Sequence, residues 1–333
     1  MILPSNLSTQ AIDILLRGIS QVVLQNNPVS GLVILVGLFI ASKIAGVATL
    51  VGVIISTLTA VLLKVDKSLI QNGLFGFNGV LVGIGVSSYA VSHHLLIDHT
   101  LWLHIVIATS LSTLVMIGLS QFFTLWNLPA LTMPFILCTW LFIGVVEHID
   151  LSNPMATLSH HFISEIDIYT IKTWYIGVGK GFSEIFLQDS AIAGYLIFLG
   201  ILINSRMSAI AALAAALLSI ATGIAFEVSE ESIQLGLYSY NPILTSIALG
   251  GGLFIYVTKF SFIYALLGAI VTTWISFALS TALQHLELPI YTFPFVITTW
   301  FMLLVAMSVN SLKYISTSEA TTPEENTNRY DDL

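Results

Sequence analysis

The chain has 333 residues, of which 56% are hydrophobic and 8% charged, and a formal charge of -8. Charged residues make up roughly 25% of a typical soluble domain, so ten Lys plus Arg cannot clothe a water-soluble globule of this length and give no basic surface for nucleic acid. One cysteine, Cys138, excludes an internal disulfide and a cysteine metal cluster.

Taken in order, the first 28 residues are amphipathic and carry Asp13 and Arg17. A secretory signal would have a short basic region followed by an apolar one, so the first span is expected to serve as its own insertion signal. An amphipathic segment at 9–25 is followed by apolar ones at 29–42, 44–63, 78–90, 101–119 and 130–147. Several approach the ~20 residues that a bilayer crossing requires. The series then returns, with an amphipathic segment at 166–187 and apolar ones at 191–203, 207–225, 242–257, 261–280 and 292–309. The amphipathic segments end in Gln25-Asn26-Asn27 and Gln188-Asp189-Ser190. A helix that stops inside a bilayer is tolerated only where its end is buried in protein or lines a cavity. Residues 317–333 are polar and acidic, the composition of a disordered tail.

The return is a duplication. Shifted by 163 positions, residues 18–37 lie on 181–200 with Gly18, Ser20, Leu24, Gln25, Gly31, Ile34 and Gly37 recurring, and FNGVL (77–81) falls on YNPIL (240–244). Shifted by 160, LPALTMPF (128–135) falls on LPIYTFPF (288–295), with Thr139-Trp140 recurring as Thr299-Trp300. The expected fold is therefore an all-α polytopic membrane protein of two halves, 1–163 and 164–312, each with about five transmembrane helices and a half-membrane pore helix. The tail is expected at 313–333. An odd number of crossings per half would invert the second copy and put a site between the halves.

The polar candidates also come in duplicate. Each proline phrase holds two residues without a backbone donor, and Thr132 and Thr292 sit between them. The prolines Pro134 and Pro294 are expected to leave upstream carbonyls free. Gln21 and Glu184 occupy equivalent positions near the ends of the amphipathic segments. A threonine in a membrane helix can simply bond back to its own helix, and a glutamine can face water, but a glutamate in KGFSEIFLQ is costly unless it faces a partner or a wet pathway. Phe77 and Leu81, with their equivalents Tyr240 and Leu244, add facing apolar surfaces, and Phe135 and Phe295 close the two phrases. Rows of acceptors between such walls suit a flat, uncharged, donor-rich solute.

The doubled LPxxTxPF phrase, the FNGVLVG stretch and the paired organisation resemble the urea transporter family up to about residue 312. The resemblance implies a passive, channel-like pore for urea in each subunit, a selectivity filter of oxygens from Thr132, Thr292 and nearby carbonyls, and a homotrimer in the lipid bilayer. It implies that Gln21 and Glu184 end the half-membrane helices and that Phe77, Leu81, Ile185 and Leu244 line the slot, with Leu24 and its equivalent Leu187 beside them. Leu24 stands where an aromatic is expected, and Tyr240 stands where the first half has phenylalanine. No cofactor and no metal is implied, and the location is a plasma or bacterial inner membrane.

Two other readings stay open. An ion- or proton-coupled secondary transporter also uses inverted repeats and broken helices; beyond Glu184, its titratable candidates are Asp66, Glu147, Glu227 and Glu287, all near span ends. A membrane enzyme would use His93, His94, His99, His104, His160 and His161 with Asp98, or Glu147-His148, none at a recognised ligand spacing.

Overall fold

The computed structural model describes residues 7–150, 169–316 and 321–331. Among these the chain is helical, and seven helices are followed by seven counterparts and one more. The first set is α1 (Leu7–Ser20), α2 (Pro28–Ala41), α3 (Lys43–Leu62), α4 (Lys67–Gln71), α5 (Gly76–Ser92), α6 (His99–Phe123) and α7 (Met133–Asp150). The second is α8 (Ile171–Glu184), α9 (Ala191–Asn204), α10 (Arg206–Ala225), α11 (Glu230–Gln234), α12 (Tyr240–Gly250), α13 (Lys259–Gln284) and α14 (Phe293–Ser308), and α15 (Pro323–Asp331) closes the chain. The boundary at 163/164 falls outside the described residues.

The protein is a multi-pass helical membrane protein. α3, α6 with the turn that follows it, α10 and α13 are each long and apolar enough to cross a bilayer. α2 and α9, of 14 residues, reach only ~21 Å at 1.5 Å per residue, short of the ~30 Å hydrocarbon core. α1 and α2 meet at a 74° bend. Such a bend needs close backbone approach, and Gly31 supplies it: a Cβ there would lie 1.9 Å from the Leu16 carbonyl oxygen. Its repeat partner Gly194 would meet Gly179 O at 1.6 Å. Any larger side chain would force the half-membrane helix off its neighbour in either half.

The helix starts are written locally. Asn27 accepts from the Val29 and Ser30 N–H groups ahead of Pro28, and Ser190 accepts from Ala193 N–H. Ser42 and Ser205 cap α3 and α10 in the same way, satisfying donors that a helix N-terminus leaves orphaned.

One expectation is corrected. The segment expected at 242–257 ends as a helix at Gly250, because Gly250-Gly251-Gly252 follows and Gly252 takes φ +85, a conformation closed to most L side chains. Its counterpart α5 reads Ser-Ser-Tyr over 87–89 and runs on to Ser92. The chain freed after Gly252 pairs instead with the residues after α14: Tyr256 N–H donates to Lys313 O (3.1 Å) and Ile315 N–H to Phe254 O (2.8 Å). Beyond residue 313 the described chain includes α15. Glu324 Oε1 accepts from Arg206 N–H (2.9 Å) and Ser205 Oγ (3.0 Å) at the start of α10. Asn326 Nδ2 donates to Gly252 O (2.8 Å). An acidic composition that argued for solvation instead supplies a carboxylate to a helix N-terminus, where negative charge is favoured.

Candidate functional site

The two proline phrases meet. Thr132 Oγ1 and Thr292 Oγ1 lie 2.7 Å apart, and both residues are buried. The contacts around them are reciprocal, with Trp140 Nε1 donating to Pro289 O (2.9 Å) and Trp300 Nε1 donating to Pro129 O (2.8 Å). A contact in which each partner gives what it receives is the signature of a twofold relation. The halves are therefore related by a pseudo-twofold axis that passes by the threonine pair.

What holds each broken helix open is an asparagine. Phe135 N–H, which a continuous helix would aim at Leu131 O, donates to Asn78 Oδ1 (3.1 Å), and Asn78 Nδ2 donates to Leu131 O (3.3 Å). In the second half Phe295 N–H donates to Asn241 Oδ1 (3.2 Å) and Asn241 Nδ2 to Tyr291 O (3.1 Å). A side-chain amide has the donor and acceptor of a peptide group, so each asparagine is spliced into the ladder where the helix opens. The free carbonyls expected upstream of the prolines are only half free. Ala130 O takes Met133 N–H (3.3 Å) and Ile290 O takes Phe293 N–H (3.1 Å) in tighter turns, leaving each a second lone pair.

The half-membrane helices end alike. Leu24 N–H bonds Gln21 O and Gln25 N–H bonds Ser20 O; Leu187 N–H bonds Glu184 O and Gln188 N–H bonds Ser183 O. This bonding pattern terminates a helix through a left-handed residue, usually glycine. Here Leu24 (φ 60) and Leu187 (φ 54) hold that place, at a cost of about 1–2 kcal/mol each. Leu131 (φ 52) and Tyr291 (φ 44) are left-handed as well. Lys64, His94, Asn127, Glu227 and Glu287 adopt it too, so the conformation marks where helices end and is not confined to this region.

Gln21 lies in the turn beyond α1, where its Nε2 donates to Asn72 O (3.1 Å), and Glu184 is the last residue of α8, half-buried. Phe77 and Leu81 stand one turn apart on α5, as Tyr240 and Leu244 do on α12; all four and Ile185 are buried in one apolar core, against which Leu24 and Leu187 pack. Charged side chains flank these ends. Arg17 pairs with Asp13 (2.6 Å) and donates to Asn26 Oδ1 (2.8 Å). Its repeat equivalent Lys180 pairs with Asp189 (2.5 Å), the equivalent of Asn26. A hollow of about 320 Å³ opens beside Asp13, Arg17 and Asn72, and neither Gln21 nor the threonines line it.

Asn78 and Asn241 were the residues most open to discovery from sequence, being polar, buried and repeated at one offset inside apolar helices. Trp140 and Trp300 recur too, but nothing in the order of residues says that each indole reaches into the other half. Of the histidines, His93 stacks on Tyr89 at 3.9 Å and His104 meets Phe142 edge-on at 5.7 Å. His160 and His161 lie outside the described residues, as do the side chains of Glu147 and His148. Among the described residues no group of three His, Cys, Asp or Glu is placed to hold a metal.

A family profile described as urea transporter matches residues 12–307. Urea transporter 1 of Ovis aries is 31% identical over 326 residues, covering 95% of this chain and 83% of the relative. The same-named protein of Mus musculus is 30% identical over the same shares.

Proposed function

Because the chain belongs to the urea transporter family, a family of transporters and not of enzymes, we propose that it moves urea across its membrane passively, through a channel between the two halves. The observation that carries this reading is the threonine pair on the pseudo-twofold axis, set between two helix breaks that asparagines hold open.

Urea is planar and neutral, with four N–H donors and one acceptor. To leave water it must find acceptors in series, each weak enough to let it go. Thr132 and Thr292 supply hydroxyl oxygens mid-path, and the half-engaged carbonyls at 130, 131 and 290 extend the row. Phe77, Leu81 and Ile185, with Tyr240 and Leu244, form the flat walls, and Leu24 and Leu187 narrow them. Gln21 and Glu184 mark the two mouths. Hydrated ions find no charge in the apolar stretch to offset dehydration.

The geometry favours an inverted arrangement in the bilayer. With the copies inverted, equivalent basic residues such as Lys43 and Arg206 lie on opposite sides, and the positive-inside count nearly cancels. Three copies assemble as a trimer in a plasma or bacterial inner membrane.

Stopped-flow swelling of proteoliposomes tests the channel: urea influx is saturable and exceeds that of glycerol. A coupled carrier would concentrate labelled urea under an imposed proton or sodium gradient. Equilibration without accumulation is the expected result, and accumulation overturns the passive reading.

A further inference from the structure

The two halves differ at one oxygen beside the threonines. Tyr291 O accepts from Asn241 Nδ2 (3.1 Å) and also from the Tyr240 hydroxyl (2.7 Å). A carbonyl has two lone pairs, so this one is full. At the equivalent place in the first half, Leu131 O takes Asn78 Nδ2 at 3.3 Å, and Phe77, which stands where Tyr240 does, has no hydroxyl to add. Among the described residues Leu131 O therefore keeps one lone pair open, and Tyr291 O keeps none.

We infer that Tyr240 sets the strength and selectivity of urea binding by filling the Tyr291 carbonyl, so that the oxygen row is one fixed amide acceptor shorter on the second half than on the first. The inference rests on the urea channel proposed above. Tyr240 and Tyr291 are both buried, so no bulk water competes for the carbonyl, and the hydroxyl that occupies it belongs to a residue of the slot wall. In place of a backbone carbonyl the permeant meets a phenol oxygen already committed as a donor, a poorer acceptor than an amide. Urea, whose two amide groups face opposite edges of the slot, is held firmly on the Leu131 side and loosely on the Tyr291 side. A binding step that is strong on both edges would slow release, and weakening one edge favours throughput.

The test uses the full chain in proteoliposomes, with urea and formamide as permeants and thermal midpoints to confirm that each variant is folded. Y240F keeps the ring, removes the hydroxyl and frees the carbonyl. The urea half-saturation concentration is expected to fall about threefold to tenfold, the range one added hydrogen bond supplies. Formamide, with one amide group, can bind by the Leu131 edge alone, and its permeability should change less than about twofold. F77Y should do the reverse, filling Leu131 O and raising the urea value, and the F77Y/Y240F exchange should return it to within about twofold of the parent. An unchanged or raised urea value in folded Y240F overturns the inference, and so does an equal shift for formamide, which would mean general loosening. If the parent protein shows no saturable urea flux, the channel reading itself fails before any variant is compared.

Discussion

Where the two halves agree, the agreement is at the breaks; where they differ, the difference is at one face. Around the threonines the contacts come in mates, Asn78 with Asn241, Trp140 with Trp300 and Leu24 with Leu187, with the Tyr240 hydroxyl on Tyr291 O as the exception. Away from the axis the second half departs. α12 stops at Gly250, the chain beyond it pairs with residues 313–315, and α15 docks on α10. Asn204 donates to Gln25 Oε1 at 2.7 Å, yet its repeat equivalent is Ala41, which cannot reach Gln188. The lesson is that symmetry is kept at the helix breaks both copies share, save for the Tyr240 hydroxyl, and is lost where only one copy has a tail to accommodate.

The sharpest way to break this comparison is at the spliced asparagines. N78L would leave the buried Phe135 N–H and the Leu131 carbonyl without partners, about 1–3 kcal/mol for each group. N241L strands only the Phe295 N–H, because Tyr291 O keeps the Tyr240 hydroxyl. Urea flux should fall tenfold or more in N78L and by a smaller factor in N241L; equal losses in proteoliposome assays would mean that the Tyr240 hydroxyl does not stand in for the lost asparagine. The threonines come next. T132V and T292V keep the volume and delete one oxygen, so each should lower flux about twofold to tenfold with expression intact. If neither changes urea flux, the hydroxyls do not belong to the filter.

The asymmetric face should respond in stability instead of flux. Truncation after Ser316, or E324A, removes the carboxylate from the α10 N-terminus, worth about 0.5–2 kcal/mol as a cap. The thermal midpoint in detergent should drop by about 1–3 °C while urea flux stays within about twofold. A truncated protein as stable as the full chain would restore the picture of a detached tail.

The smallest effect is at the loop caps. Asp98 accepts from Leu101 and Thr100 N–H at the start of α6, and the Leu101 hydrogen bond is the main reason its carboxyl is held below the usual carboxylate range. A depressed folded value means that the cap is fully present above the ordinary carboxylate pKa of about 3.9 and is lost as the pH falls through the folded value. Hydrogen exchange at Leu101 should be independent of this group between pH 5 and 8 and should quicken only in stronger acid. Faster exchange at pH 6 would show that another group governs that end.

How much of this was legible follows from what each feature depends on. The duplication, the phrases and the helix limits are local, and most boundaries fall within a few residues of the apolar segments because capping residues such as Asn27, Ser42 and Ser205 sit beside them. Tyr240 was visible as a departure from Phe77, but that its hydroxyl would fill the Tyr291 carbonyl depends on residues 51 apart in sequence. The bond from Glu324 to the start of α10 was hidden for the same reason: composition measures what a segment offers to water and not what a neighbouring helix end offers to it.

The sequence by itself determined the solvent, the number of copies and the places where helices break, because hydrophobic length, repeats and proline act through bonds and near neighbours. Tertiary structure alone decided which groups face one another across the axis. Those distances depend on how two copies dock, and docking is set by packing over the whole molecule, which no single stretch of chain records.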